Sequence, residues 1–136
     1  MPSFTTIAHV DLTVSDADAS TEWYCEVLGL RNLHRGVTDG RITVVLLHQD
    51  TGLIVGLNQH DVTKVDTFDE RNVGLDHIGF GVTSRDDLDQ WELRLTELGV
   101  EHSPVADTPV GSALVFRDPD NIQLEFWWTP PREPKN

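Results

Sequence analysis

The sequence predicts an α+β fold made of two paired βαβββ modules, and three observations lead there. The first is an internal repeat. Aligning His9 with His77, an offset of 68, sets AHVDLTV (8–14) on DHIGFGV (76–82) and Trp23 on Trp91. Leu28-Gly29-Leu30 meets Leu98-Gly99-Val100 at an offset of 70, so the second copy has gained two residues in its helix. HQDTGLIVGL (48–57) parallels RDPDNIQLEF (117–126) at an offset of 69. The second is periodicity: each copy reads strand, helix, then three strands. The third is size. A module of about 60 residues is too small to bury a core of its own, so the pair is expected to form one domain over residues 1–128. Module 1 covers about 5–59, a linker 60–74, module 2 about 75–128, and 129–136 is a loose tail.

The elements follow in order. Residues 5–14 alternate, with Ala8, Val10, Leu12 and Val14 on one face and Ile7, His9, Asp11 and Thr13 on the other. Ser15 or Asp16 can cap a helix running to about Leu28, where Gly29 stops it. Strands follow near 31–37, 41–48 and 52–59, the last two separated by Asp50-Thr51-Gly52. The polar, aperiodic run HDVTKVDTFDERNVG (60–74) reads as the linker. In 75–83, Ile78, Phe80 and Val82 oppose His77, Gly79 and Gly81. A second helix begins near Arg85, with Leu88, Trp91, Leu95 and Leu98 in one stripe, and ends at Gly99. Strands near 100–106, 111–117 and 122–128 complete the copy, with a turn at Asp118-Pro119-Asp120-Asn121. The tail, TPPREPKN, has no apolar periodicity.

Ten Lys and Arg against 23 Asp and Glu leave a net charge of −13, which repels nucleic-acid backbones and suits cations better than anions. The single cysteine, Cys25, excludes an intramolecular disulfide and fits a reducing compartment. No basic signal segment opens the chain, and LIVGL (53–57) is typical of its longest apolar runs. These features point to a soluble, cytoplasmic protein that binds neither nucleic acid nor membrane.

His9 and His77 occupy matching positions on the face opposite the aliphatic stripe. A lone histidine there reads as a satisfied polar residue, but a pseudo-twofold would bring two matched ones together. Gln123, Glu125 and Trp127 oppose Leu124, Phe126 and Trp128, and a carboxylate in so apolar a strand needs a partner or a metal. Two imidazoles and one carboxylate suit Fe(II), with Mn or Zn as alternatives. Trp127 shares Glu125's face and can stack on a planar substrate, with rim packing as the competing reading. Gln123 and Asp11 are the other substrate-side candidates. Asp11 and Thr13 can also orient His9, whereas alternation turns Asp76 away to solvent. Trp23 and Trp91 read as core anchors, and Cys25 as a small hydrophobe. GFGVTS (79–84) only shadows a dinucleotide-binding motif.

AHVDLTVSDADASTEWYCEVLGL, LDHIGFGV and FRDPDNIQLEFWW, in that order over nearly all of residues 5–128, resemble the vicinal-oxygen-chelate superfamily. That group includes glyoxalase I, fosfomycin-resistance thiol transferases, methylmalonyl-CoA epimerase, extradiol ring-cleaving dioxygenases and bleomycin-resistance proteins. The resemblance implies a cup-shaped mixed sheet around a divalent metal ion (Fe2+, Mn2+, Zn2+ or Ni2+), a small-molecule substrate and a homodimer. It implies metal ligands His9, His77 and Glu125.

The chain also departs from its relatives. The repeat puts Gly56 opposite Glu125, so the carboxylate that serves glyoxalase I as ligand and base is missing, and Asn58 and Gln59 are poor substitutes. The basic residue that fosfomycin enzymes carry two before the glutamate is here the neutral Gln123, with Arg117 the nearest cation before it. The only tyrosine, Tyr24, reads as core, which removes a usual dioxygenase helper. His48 and His60 are the remaining acid–base candidates, against a plainer reading as exposed turn and linker residues. Two functions stand as expectations: a metal-dependent enzyme acting on vicinal oxygens, as dioxygenase or as lyase, isomerase or transferase, and a bleomycin-resistance-like protein that sequesters a cationic or aromatic compound without chemistry.

Overall fold

A computed structural model describes residues 1–62 and 67–132, and the chain divides into two compact units, Met1–Asp66 and Thr67–Asn136. The expected linker residues 63–66 and tail residues 133–136 lie outside the described residues.

The first unit runs β1 (Val10–Thr13), α1 (Ala17–Leu28), β2 (Arg31–Thr38), β3 (Arg41–Leu47) and β4 (Ile54–Gln59). Its sheet has the order β1-β4-β3-β2. β1 and β4 are parallel and the other pairs antiparallel. Asp16 caps α1, its side chain accepting from the Asp18 and Ala19 N–H groups, and Gly29 closes it at φ +70°. The core beneath the helix is Leu12, Val14, Tyr24, Val27, Val44, Leu46, Val55 and Leu57, all buried.

The second unit repeats this order: β5 (Ile78–Gly81), α2 (Arg85–Glu97), β6 (Ala106–Thr108), β7 (Gly111–Arg117) and β8 (Gln123–Trp128), in a sheet ordered β5-β8-β7-β6. Ser84 and Asp87 form a reciprocal capping box at the start of α2. Leu88 and Leu95 are buried, and Trp91 stacks on Phe126 with centroids 4.1 Å apart. Phe116 stacks on Phe126 at 5.0 Å. Among the described residues, no helix is long and apolar enough to cross a membrane.

Two expectations are corrected, and the end of the linker gains contacts that no local pattern announces. The opening strands of both copies are shorter than their alternation, because only Val10–Thr13 and Ile78–Gly81 find partners on β4 and β8. Residues 100–105 do not form a strand, and β6 begins only at Ala106. Pro104 has no N–H to donate, and the segment reaches β7 only through a His102–Phe116 bridge and the Ser103 N–H to Val115 carbonyl bond. The end of the linker, finally, is tied down. The Phe68 N–H and Thr67 hydroxyl both donate to the Asp120 carbonyl, Asn121 Nδ2 donates to the Phe68 carbonyl, and Arg117 forks onto Glu70 at 2.8 and 3.0 Å.

Two acid–base pairs tie the second unit to solution pH. The Arg117 guanidinium holds Glu70 down from 4.5 to about 2, and Arg85, helped by the Ser112 hydroxyl, holds Asp107 down from 3.8 to about 2. Both carboxylates have folded values below their ordinary ones. Their contribution is therefore complete above pH 4.5 and lost as pH falls toward 2. Urea denaturation at stepped pH should show stability dropping across that window, with a shallower drop in Glu70→Gln. An unchanged slope in the variant contradicts the assignment.

Candidate functional site

The site-bearing strand of the second unit is β8. Leu124 and Phe126 are buried toward α2, so alternation turns Gln123, Glu125 and Trp127 to the opposite face. On the neighbouring β5 the residues beside Glu125 and Trp127 are Gly79 and Gly81. The missing side chains leave an open hollow of about 500 Å³ lined by Gly79, Gly81, Glu125 and Trp127. That volume is within the roughly 300–1,000 Å³ usual for small-molecule sites. No cation is among the four lining residues. The indole of Trp127 is held from two sides: its Nε1 donates to Thr129 Oγ1 at 2.8 Å, and its ring packs where a side chain at Gly111 would stand.

His77 immediately precedes β5, with its Nε2 3.4 Å from Glu125 Oε1. Its Nδ1 lies 2.7 Å from Asp76 Oδ1, and since a carboxylate only accepts, the ring donates there and leaves Nε2 as the atom facing Glu125. The Asp76 hydrogen bond raises the imidazole above its ordinary 6.5; partial burial opposes this and the Glu125 charge adds to it. Glu125 itself is largely covered, its side chain 16% exposed.

Behind the imidazole runs a polar relay. Gln123 Nε2 donates to Asp76 Oδ1 at 3.0 Å, Arg117 Nη2 donates to Gln123 Oε1 at 2.9 Å, and Arg117 forks onto Glu70. Gln123, read from the sequence as a substrate contact, thus has both ends of its amide engaged by protein. Asp76, expected to turn away into solvent, is exposed as expected but bonds His77 rather than turning away from it. The strand begins only at Ile78, so alternation does not govern the Asp76-His77 dipeptide. The adjacency of an acid and a candidate ligand histidine was the signal available in the sequence.

The pair fits a divalent ion. Two ligand atoms each ~2.1 Å from a metal, at octahedral to tetrahedral angles, stand roughly 3.0–3.4 Å apart. Nε2 and Oε1 stand at the upper end of that span, with the imidazole's other nitrogen anchored to a carboxylate in the way metal-bound histidines are. Among the described residues, no group of three or more His, Cys, Asp and Glu side chains is assembled for a metal.

The first unit holds the remaining candidates. His9 is exposed and precedes β1. Asp11 is exposed on β1 beside Gly56 of β4, and its Oδ2 accepts from Asn58 Nδ2 at 3.1 Å. The expectation that Asp11 orients His9 therefore gives way to a bond with Asn58. His48 sits in the turn before β4, its Nδ1 2.7 Å from Thr51 Oγ1, while His60 is exposed just after β4; the two lie at opposite ends of that strand. Tyr24 is 1% exposed, which closes it to substrate. Burial raises the Cys25 thiol, consistent with an inert side chain.

The model of the Glyoxalase/Bleomycin resistance protein/Dioxygenase superfamily matches residues 6–126. The chain belongs to that superfamily. It is 41% identical to a glyoxylase/bleomycin resistance protein/dioxygenase domain from Frankia sp. EAN1pec, whose crystal structure it matches with a TM-score of 0.87, covering 94% of this chain and 100% of that one. The fosfomycin resistance protein FosX from Listeria monocytogenes, crystallised with Mn(II) and sulfate, shares the fold at a TM-score of 0.69 and 21% identity, over 94% and 95% of the two chains. Among curated proteins, the chain is 26% identical over 126 residues to the "Putative ring-cleaving dioxygenase MhqA" of Bacillus subtilis (strain 168). That match covers 91% of this chain and 40% of the relative, so the chain spans about two-fifths of the length of the relative.

The glycines of this face differ in what they protect. A Cβ at Gly111 would overlap the Trp127 ring and the Trp128 carbonyl, whereas one at Gly81 meets nothing within 4 Å. Gly111→Ala should lower stability by about 1–3 kcal/mol in urea denaturation. Gly81→Ala should stay within about 0.5 kcal/mol of the parent. Equal effects contradict the seating of Trp127 over Gly111.

Proposed function

We propose that this protein is a divalent-metal-dependent enzyme acting on a small substrate with vicinal oxygens, with His9, His77 and Glu125 as the metal ligands. The observation that carries the reading is the His77 Nε2–Glu125 Oε1 approach with Asp76 behind the imidazole. His9 enters through the internal repeat, which matches it to His77. Such an ion, when bound, supplies Lewis-acid stabilisation of negative charge on substrate oxygen.

The chain's own residues do the rest. Asp76 fixes the tautomer of His77 and keeps Nε2 available, and Gln123 and Arg117 fix Asp76 in turn. Gly79 and Gly81 leave space in front of Glu125, and Trp127 offers a flat apolar wall to a planar ring. A hollow lined by a carboxylate and an indole, without a cation, favours a neutral aromatic diol over a phosphonate dianion. The likeness to a protein named for ring cleavage supports the same choice, so oxidative cleavage of a catechol-type ring is the reaction to test first. The family resemblance and the unpaired Cys25 support a cytoplasmic homodimer as part of this reading.

One observation favours a second reading. An indole beside a carboxylate also suits a cationic aromatic compound held without chemistry, as in a sequestering resistance protein.

Protein purified without oxygen should carry a divalent metal by elemental analysis, with metal content at least about tenfold lower in His77→Ala and Glu125→Gln. Iron together with oxygen uptake on a catechol panel supports ring cleavage. Manganese, zinc or nickel without uptake moves the reaction to isomerase, lyase or transferase chemistry. Metal-free protein that binds a basic aromatic drug with undiminished affinity, by calorimetry, overturns the enzyme in favour of sequestration.

A further inference from the structure

Glycine inside a strand weakens it and offers no side chain to pack, so each one calls for a reason. Among the described residues the strands hold five: Gly36, Gly56, Gly79, Gly81 and Gly111. Four of them have that reason in a neighbouring side chain. In the row Val45, Gly56 and Asp11 across β3, β4 and β1, a Cβ on Gly56 would run into the Asp11 carboxylate. One on Gly111 would overlap the Trp127 ring, one on Gly36 would stand 3.1 Å from His34 Nε2, and one on Gly79 would stand 3.2 Å from Glu125 Oε1. Gly81 is the exception: a Cβ there meets nothing within 4 Å.

The other reasons for a strand glycine are absent as well. The φ of Gly81 lies outside the left-handed region, so its backbone accepts any L side chain. Nor is it a hinge: Gly81 pairs with Trp127 in the β5–β8 ladder, and the next residue, Val82, donates its N–H to the Trp127 carbonyl at 2.9 Å. What the missing side chain does provide is floor for the hollow beside the Trp127 indole. Bare strand backbone of this kind marks the close approach of a ligand. Its place along the strand says which part of the ligand. Gly79 is level with Glu125 and Gly81 with Trp127, a step of about 7 Å between a carboxylate end and an aromatic end. The polar end of a substrate belongs with Glu125 and its apolar end with the indole, over Gly81.

We infer that Gly81 is a specificity-determining residue, whose bare backbone admits the end of the substrate farthest from its vicinal oxygens. The substrate class is then an aromatic diol extended at that end by a second ring or an apolar substituent. The inference rests on the diol reading above, and its test separates the two. The full chain, with the metal it carries after purification without oxygen, is titrated calorimetrically with two probes. One is catechol, and the other is a naphthalene diol whose second ring lies opposite its vicinal hydroxyls. Gly81→Val should weaken the two-ring diol at least about tenfold and catechol less than about threefold, with Gly81→Ala between valine and the parent. Parent protein that binds neither diol overturns the substrate reading and this inference together. Parent binding of catechol alone overturns this inference alone, as does binding of both diols that Gly81→Val leaves unchanged or weakens equally. Melting temperatures exclude a structural role. Both variants should melt within about 3 °C of the parent, because nothing stands where the new Cβ goes and valine suits a strand. A larger fall in both shows that protein occupies the strip, and overturns the inference. If the valine variant alone fails to fold, the alanine variant carries the comparison, and an unchanged ratio of the two affinities there overturns the inference.

Discussion

The polar face of each unit depends on the parallel pairing of its first and last strands. Parallel neighbours need a long crossover, and here the crossover carries a helix and two further strands before the chain returns beside its start. α1 packs on β3 and β4, and α2 on β7 and β8, so one face of each sheet is committed to aliphatic and aromatic core. The other face is left for polar residues, and its middle is the β1–β4 or β5–β8 seam. Glycine on one side of that seam and an acid on the other is the consequence in both units. A carboxylate can stand there because its neighbour has no side chain to crowd it.

Electrostatics then organise the second unit's polar face into a sequence of contacts from Glu70 through Arg117, Gln123 and Asp76 to His77 and Glu125. Each member has its partner fixed by the one before, so the imidazole is oriented from behind before any ligand arrives. The single cation in the relay, Arg117, is bound by Glu70 on one side and Gln123 on the other. An acid-rich chain uses one of its few positive charges to anchor the loop leading into β5, and keeps it out of the hollow.

Much of this was legible in the residues. The repeat offsets pointed to the two βαβββ units, and the helix starts were legible at Ser15 or Asp16 and near Arg85, where the structure adds the Ser84 cap. Alternation in β8 put Glu125 and Trp127 on one face, where both line the hollow. What failed was periodicity applied beyond hydrogen-bonded partners. Ala8 and His9 lie outside β1, and Asp76 and His77 lie outside β5, so the rule that sends adjacent side chains to opposite faces did not apply to them. Pro104 holds off the strand expected near 100–106, which starts only at Ala106 as β6. The contacts of Asp11 and Gln123 depended on partners 47 residues away in sequence, Asn58 and Asp76, and local patterns carry no information at that range.

The overlap between Asp11 and any side chain at position 56 also bears on how such a chain can change over generations. Moving the acid from β1 to β4 takes two substitutions, and neither order is neutral. Adding a side chain at Gly56 first makes the Asp11 carboxylate move aside, while removing Asp11 first leaves the row with no acid at all. The step between the two placements therefore passes through a chain whose Asp11 carboxylate is displaced or whose row carries no acid.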